Sequence, residues 1–298
     1  MPRTRRQWEL ETPPRRPHRR HRAYQPVPYS RHMPSPSLIT QLNALAEVAQ
    51  LSGAVAHDIA AIHRRPAALR AGEAIAAQSA LRGAQCTAAI TADVPLGAIA
   101  QLSPDQLAAA APRQAGATPT KEGDAAKPPA AAVAFGRSVR AYSELTHPAV
   151  ARAERTMCTA PLQQWALLSR AAGGTGRPVR GEAELVGLAA MITAAPSHPL
   201  TPVAVQAALA AGGYFGPATL AVACVSGRLL ARAGGLDPIG VAVPEVGLSR
   251  RRGELRSAAL LGSAPLETPE QWRQSLLWWL RAWQLGAEEG AAIVAAAG

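Results

Sequence analysis

The sequence predicts an all-α fold, on two observations. Alanine supplies 67 of the 298 residues while Phe and Tyr together supply six. Each residue then buries little apolar area, so the core is expected to be helical and closely packed; a β-sandwich needs many more β-branched and aromatic positions. Apolar residues also recur at spacings of three and four over long segments, which lines them along single helix faces. The length suits one large domain or two small ones, and sets aside a disulfide-stapled mini-protein or a fibrous chain.

The net charge of +11 is concentrated at the N-terminus. Arg3, Arg5, Arg6, Arg15, Arg16, Arg19, Arg20, Arg22 and Arg31 face only Glu9 and Glu11 there, and Pro13, Pro14, Pro17, Pro26, Pro28, Pro34 and Pro36 oppose a helix. Residues 1–36 therefore read as a disordered basic tail, and 37–298 as one helical domain. No apolar run follows the basic residues, so a signal peptide is not expected. The tail suits contact with nucleic acid or an anionic membrane surface, and equally a solvated extension. Cys86, Cys158 and Cys224 are far apart, odd in number and form no CxxC pair. Neither a disulfide framework nor a metal site is suggested, and the cytoplasm is the expected compartment.

Along the chain, Ser37 reads as an N-cap for one long helix whose face carries Leu38, Leu42, Leu45, Val48, Leu51, Val55, Ile59 and Ile62. His57 and His63 ride on it with no ligand partner at suitable spacing. Pro66 ends or bends that helix and a second runs from Ala67 to Gly83. The short side chains of residues 78–99 suggest close packing before a turn at Asp93 to Pro95. Ser103, Pro104 and Asp105 signal another start. Residues 109–132 mix Pro, Gly, Thr, Lys and Asp without periodicity and read as a flexible loop. Helical patterning returns from Val133 to Ala172, with starts near Pro148 and Pro161. The loop AAGGTGRPVRG lacks the GxxxxGK[ST] pattern of a phosphate loop.

Between Glu184 and Arg228 lie 43 consecutive uncharged residues. A membrane span needs roughly 20 apolar residues, but four prolines, Gln206 and an alanine-rich composition favour a buried helix pair instead. The C-terminal stretch from Thr268 or Pro269 reads as one long helix. Trp272, Trp279 and Trp283 share a face of it that suits the core of a chain short of other aromatics, and Trp278 points elsewhere.

The segment PVAVQAALAAGGYFGPATLAVACVSGRLLARAGGLDPIGVAVPEVGLSRRR resembles the core of the Fic (Fido) domain family, in a diverged branch from high-GC Gram-positive bacteria. Members share a helix, an active-site loop HxFx(D/E)GNGRxxR and a second helix, and active members transfer AMP from ATP to a protein hydroxyl. Laid on that motif, Phe215 matches the core phenylalanine. Gly213 stands in place of the general-base histidine, and Pro217 in place of the acidic residue that holds magnesium. Ala218, Thr219 and Leu220 replace the Gly-Asn-Gly cradle, while Ala221 and Cys224 replace the two arginines. AMP transfer needs a base, a cation and donors at the phosphoryl oxygens. The resemblance thus implies a multi-helix Fic-like domain without family catalysis and with no cofactor.

QSALRGAQCTAAITA resembles the helix that bears an inhibitory (S/T)xxxE(G/N) motif in related proteins. Thr87 matches its first position, and Thr91 replaces the Glu. GLDPIGVAVPEVG, with Asp237, Pro238, Pro244 and Glu245, looks like the loop that follows the Fic core. The leading expectation is a catalytically inactive Fic-like protein with a regulatory or interaction role and a protein partner. The alternatives are a nucleotidyl transferase with a non-standard site, or a nucleic-acid or membrane-surface binder acting through the basic tail.

Overall fold

Helices make up most of the residues described by the computed structural model, which are 36–109, 128–257, 260–262 and 264–298. The expected tail over 1–35 and most of the expected loop over 109–132 lie outside them. The helices are α1 (Pro36–Asn43), α2 (Ala46–His63), α3 (Pro66–Arg70), α4 (Gly72–Ala92), α5 (Leu96–Ala100), α6 (Pro104–Ala109), α7 (Ala130–Tyr142) and α8 (Val150–Thr159). They continue with α9 (Pro161–Ala171), α10 (Glu182–Ala194), α11 (Thr201–Gly212), α12 (Thr219–Ala233), α13 (Pro244–Arg250), α14 (Arg252–Ser257) and α15 (Pro269–Ala296). The all-α expectation holds for the described residues.

Several boundaries differ from the sequence pattern. The long first helix is two, because Leu45 takes an extended backbone (φ −74°, ψ 116°) between α1 and α2. The apolar spacing runs on across that break, since Leu42 and Val48 are both buried. The second expected helix likewise divides at Ala71 (φ −122°, ψ 28°), just before Gly72, where glycine weakens helix continuation. Its second part, α4, then runs on past Gly83 to Ala92 and stops where Asp93 turns left-handed (φ 58°). Helix α7 begins at Ala130, inside the expected loop, because the alanines there are strong helix formers. Helix α8 begins at Val150 rather than Pro148.

The centre is the pair α11 and α12. Every residue of α11 from Thr201 to Gly212 is buried, as is α12 from Thr219 to Ala231. This explains the long uncharged run: a helix with no exposed face has nowhere to keep a charge in water. Small residues let the axes approach, and a Cβ on Gly227 of α12 would lie 2.9 Å from the Gln206 Oε1 of α11. Among the described residues no helix is long and apolar enough to cross a membrane.

Helix α15 packs along this centre behind a capping box, in which Thr268 accepts from the Gln271 amide and Gln271 accepts from the Thr268 amide. Trp272, Trp279 and Trp283 are all buried, so the stripe fills the core. The Trp283 Nε1 donates to Gln206 Oε1 at 2.7 Å, tying α15 to α11. Trp278 turns towards α14, where its Nε1 donates to Glu254 and the Arg251 guanidinium lies 4.8 Å over its ring.

The tightest contact between helices is that of α13 with α15. A Cβ on Gly247 would lie 2.5 Å from the Ala282 backbone, and one on Gly286 would lie 2.5 Å from the Pro244 nitrogen. Gly247→Ala is therefore expected to lower unfolding free energy by about 1–3 kcal/mol through overpacking. Gly53→Ala in α2, where nothing lies within 4 Å of the new methyl, should instead gain up to about 1 kcal/mol from helix propensity. Urea titration of both variants checks the pair.

Candidate functional site

The turn between α11 and α12 is built from glycines and backbone pairing. Helix α11 ends at Gly213 with φ 62°, and Gly216 (φ 56°) opens a 3₁₀ turn over Gly216–Ala218. Thr219 then accepts from the Phe215 amide at 3.0 Å and fixes the entry to α12. Two flanking segments dock on this turn through their own backbones. The Val179 amide donates to Tyr214 O at 2.8 Å, and the Gly262 amide donates to Ala210 O at 2.7 Å.

These segments enclose an open cleft of about 510 Å³. One wall is the end of α4, with Ile90 and Thr91; another is Val179 and Arg180; the floor is Gly213, Gly216, Pro217, Thr219 and Leu220; Leu261 and Gly262 close the side. The Arg180 Nη2 donates to Gly262 O at 2.7 Å. A Cβ on Gly213 would sit 2.4 Å from that nitrogen and 2.8 Å from Gly262 Cα. Glycine is thus required at 213 both for its positive φ and to let the Arg180 bridge pass.

The cleft collects some of the sequence-predicted residues and not others. Gly213, Pro217 and Thr219 line it, and so does Thr91. Phe215, Ala221 and Cys224 point into the core. Thr87 lies one turn before Thr91 on α4 and is fully buried. Burial pushes the Cys224 thiol well above its ordinary value, with Glu245 adding to the effect, and burial raises Cys86 to about 12 against the opposing charge of Arg82. Neither is a nucleophile at neutral pH.

Beneath the cleft lies a buried polar network that the sequence reading missed. The Tyr142 hydroxyl donates to Glu245 Oε1 at 2.8 Å and lies 2.7 Å from the Thr87 hydroxyl. Arg228 donates to Ser79 O at 3.1 Å, to Ser79 Oγ at 2.8 Å and to Gly240 O at 3.1 Å. Its Nη1 stands 3.7 Å from Glu245 Oε2, with both side chains essentially without solvent contact. Burial raises the Glu245 carboxyl above its usual range, opposed chiefly by the Arg228 charge. Gly83 makes the space, since a Cβ there would meet the Tyr142 ring at 2.6 Å and Arg228 at 2.8 Å. The available signal was Arg228 itself, the charge that ends the 43-residue uncharged run.

A second buried carboxylate shapes the neighbouring loop. Asp237 accepts from the amides of Gly240, Val241 and Ala242 and lies 2.8 Å from His63 Nε2. Burial works to raise it, but the His63 hydrogen bond and charge, with the Ala242 and Val241 amides, hold it below the ordinary carboxylate range. His198 accepts from the Leu200 amide at 3.1 Å, and His57 is exposed. Among the described residues no three His, Cys, Asp or Glu side chains cluster closely enough to hold a metal ion. The arginines of the tail, Arg3 to Arg31, lie outside the described residues.

Tyr142→Phe removes the hydroxyl between Thr87 and Glu245. A hydrogen bond to a charged group contributes about 1.5–3 kcal/mol, so chemical denaturation should show a loss of that size. Compared with protein-family models, with curated proteins and with solved structures, the chain matches none.

Proposed function

We propose that the chain is a catalytically inactive, Fic-like protein whose α11–α12 cleft serves recognition, in a regulatory or interaction role in the cytoplasm. One observation carries this reading. Two stretches more than a hundred residues apart, QSALRGAQCTAAITA and GGYFGPATLAVAC, resemble eroded forms of the inhibitory helix and the active-site loop. Thr91 of the first and Gly213, Pro217 and Thr219 of the second line one cleft.

The chemistry of that cleft favours binding over transfer. Phosphoryl or nucleotidyl transfer needs a base for the attacking hydroxyl and cations for the phosphates. The described lining offers threonine hydroxyls, one arginine and no carboxylate, histidine or cysteine. The three free cysteines sit apart from it, in keeping with a reducing compartment.

The reading is tested with labelled ATP and magnesium. It predicts no label transfer to protein and no ATP binding tighter than about 100 μM, or roughly 5.5 kcal/mol, by calorimetry. Gly213→His should not start transfer. It should lower stability, since even its Cβ would collide with Arg180 and Gly262. Magnesium-dependent labelling would establish an active enzyme and refute the proposal, and ATP binding below that threshold would contradict the loss of the nucleotide site on which it rests.

A further inference from the structure

We infer that the α11–α12 cleft binds a small organic monocarboxylate, with Arg180 holding the carboxylate and the apolar walls holding its body. The inference rests on the reading of this cleft as a recognition site. Its volume of about 510 Å³ falls within the range of about 300–1,000 Å³ usual for small-molecule sites.

The charge count selects the ligand. Arg180 is the one charged residue in the described lining. Among the described residues its side chain makes one hydrogen bond, through Nη2 to Gly262 O, and no ion pair. That bond and the missing Cβ at Gly213 hold the guanidinium across the floor. Its other N–H groups are left for a ligand, and a guanidinium fork matches a carboxylate. A single cation balances one negative charge. Phosphate or a nucleotide brings further charges into a cleft with no second cation in its described lining, and desolvating unpaired charge is costly.

The walls select the rest of the molecule. Ile90, Leu220 and Leu261 face the space, and Val179 at its rim is 67% exposed, a large apolar surface left in water. An aliphatic or aromatic body a few carbons long covers these side chains. The Thr91 and Thr219 hydroxyls lie among them.

The test is calorimetric titration of the full chain with butanoate, hexanoate and octanoate at constant ionic strength, beside the matching primary amides, inorganic phosphate and AMP. The acids are expected to bind with affinity rising about threefold to fourfold per methylene, and each at least tenfold more tightly than its amide. Arg180→Met should abolish the acid–amide difference while the protein stays folded, with a small fall in the unfolding midpoint from the lost bond to Gly262. Arg180→Lys should keep part of it, and Arg177→Met, outside the cleft, should keep all of it. Equal binding of acid and amide, no binding of any acid below 10 mM, an unaffected Arg180→Met variant, or phosphate or AMP binding more tightly than octanoate would each overturn the inference. ATP-dependent labelling is scored separately. Labelling with carboxylate binding intact would sink the inactive-enzyme reading alone, and absence of both labelling and carboxylate binding would sink this inference alone.

Discussion

A buried ion pair in a core whose commonest residue is alanine is the constraint on which the structure depends. Alanine faces are smooth, so packing shape alone distinguishes poorly between one helix register and the next. Arg228 and Glu245 supply the missing specificity. Two charges shut away from water are tolerable only where they are paired and largely hydrogen-bonded. Ser79 on α4 and the Gly240 carbonyl take the Nη1 and Nη2 hydrogen bonds of Arg228, and Tyr142 on α7, itself bonded to Thr87 on α4, donates to Glu245 Oε1. Arg228 Nε and Glu245 Oε2 have no hydrogen-bond partner among the described residues, so the pairing of the two charges at 3.7 Å has to offset them. Four helices must take one mutual arrangement for this to occur, and Gly83 leaves the volume in which it does.

The same anchor sets the cleft. Thr87 in the network and Thr91 in the cleft are successive turns of α4. Arg228 lies nine residues after Thr219, about two and a half turns down α12. Fixing α4 and α12 against each other thus fixes one wall and part of the floor. The remaining side is joined by backbone pairing, Val179 to Tyr214 and Gly262 to Ala210. Arg180, reaching across the cleft from a loop, is its polar element.

Much of the fold was legible in the sequence because it is periodic. The uncharged run became the buried centre, since a helix covered on all sides has no use for charge. The tryptophans of α15 went inside because little else large was available. Helix ends were legible where side chains write them, as with Thr268 and Gln271. They were not where the backbone turns without a capping side chain, as at Leu45 and Ala71. The site was only half visible. The loop motif pointed to Gly213, Pro217 and Thr219, but Phe215, Ala221 and Cys224 from the same motif turn into the core. Arg180 and Tyr142 gave no local signal, because their roles depend on partners tens to a hundred residues away.

The central claim, that Arg228 and Glu245 act as one unit, is tested most directly by a double-mutant cycle of Arg228→Met and Glu245→Gln in urea. Leaving one buried charge unpaired costs about 3–5 kcal/mol, so each single variant should lose that much and the double variant should be more stable than either. Losses that add within about 0.5 kcal/mol would show the two residues to be independent and would contradict the account.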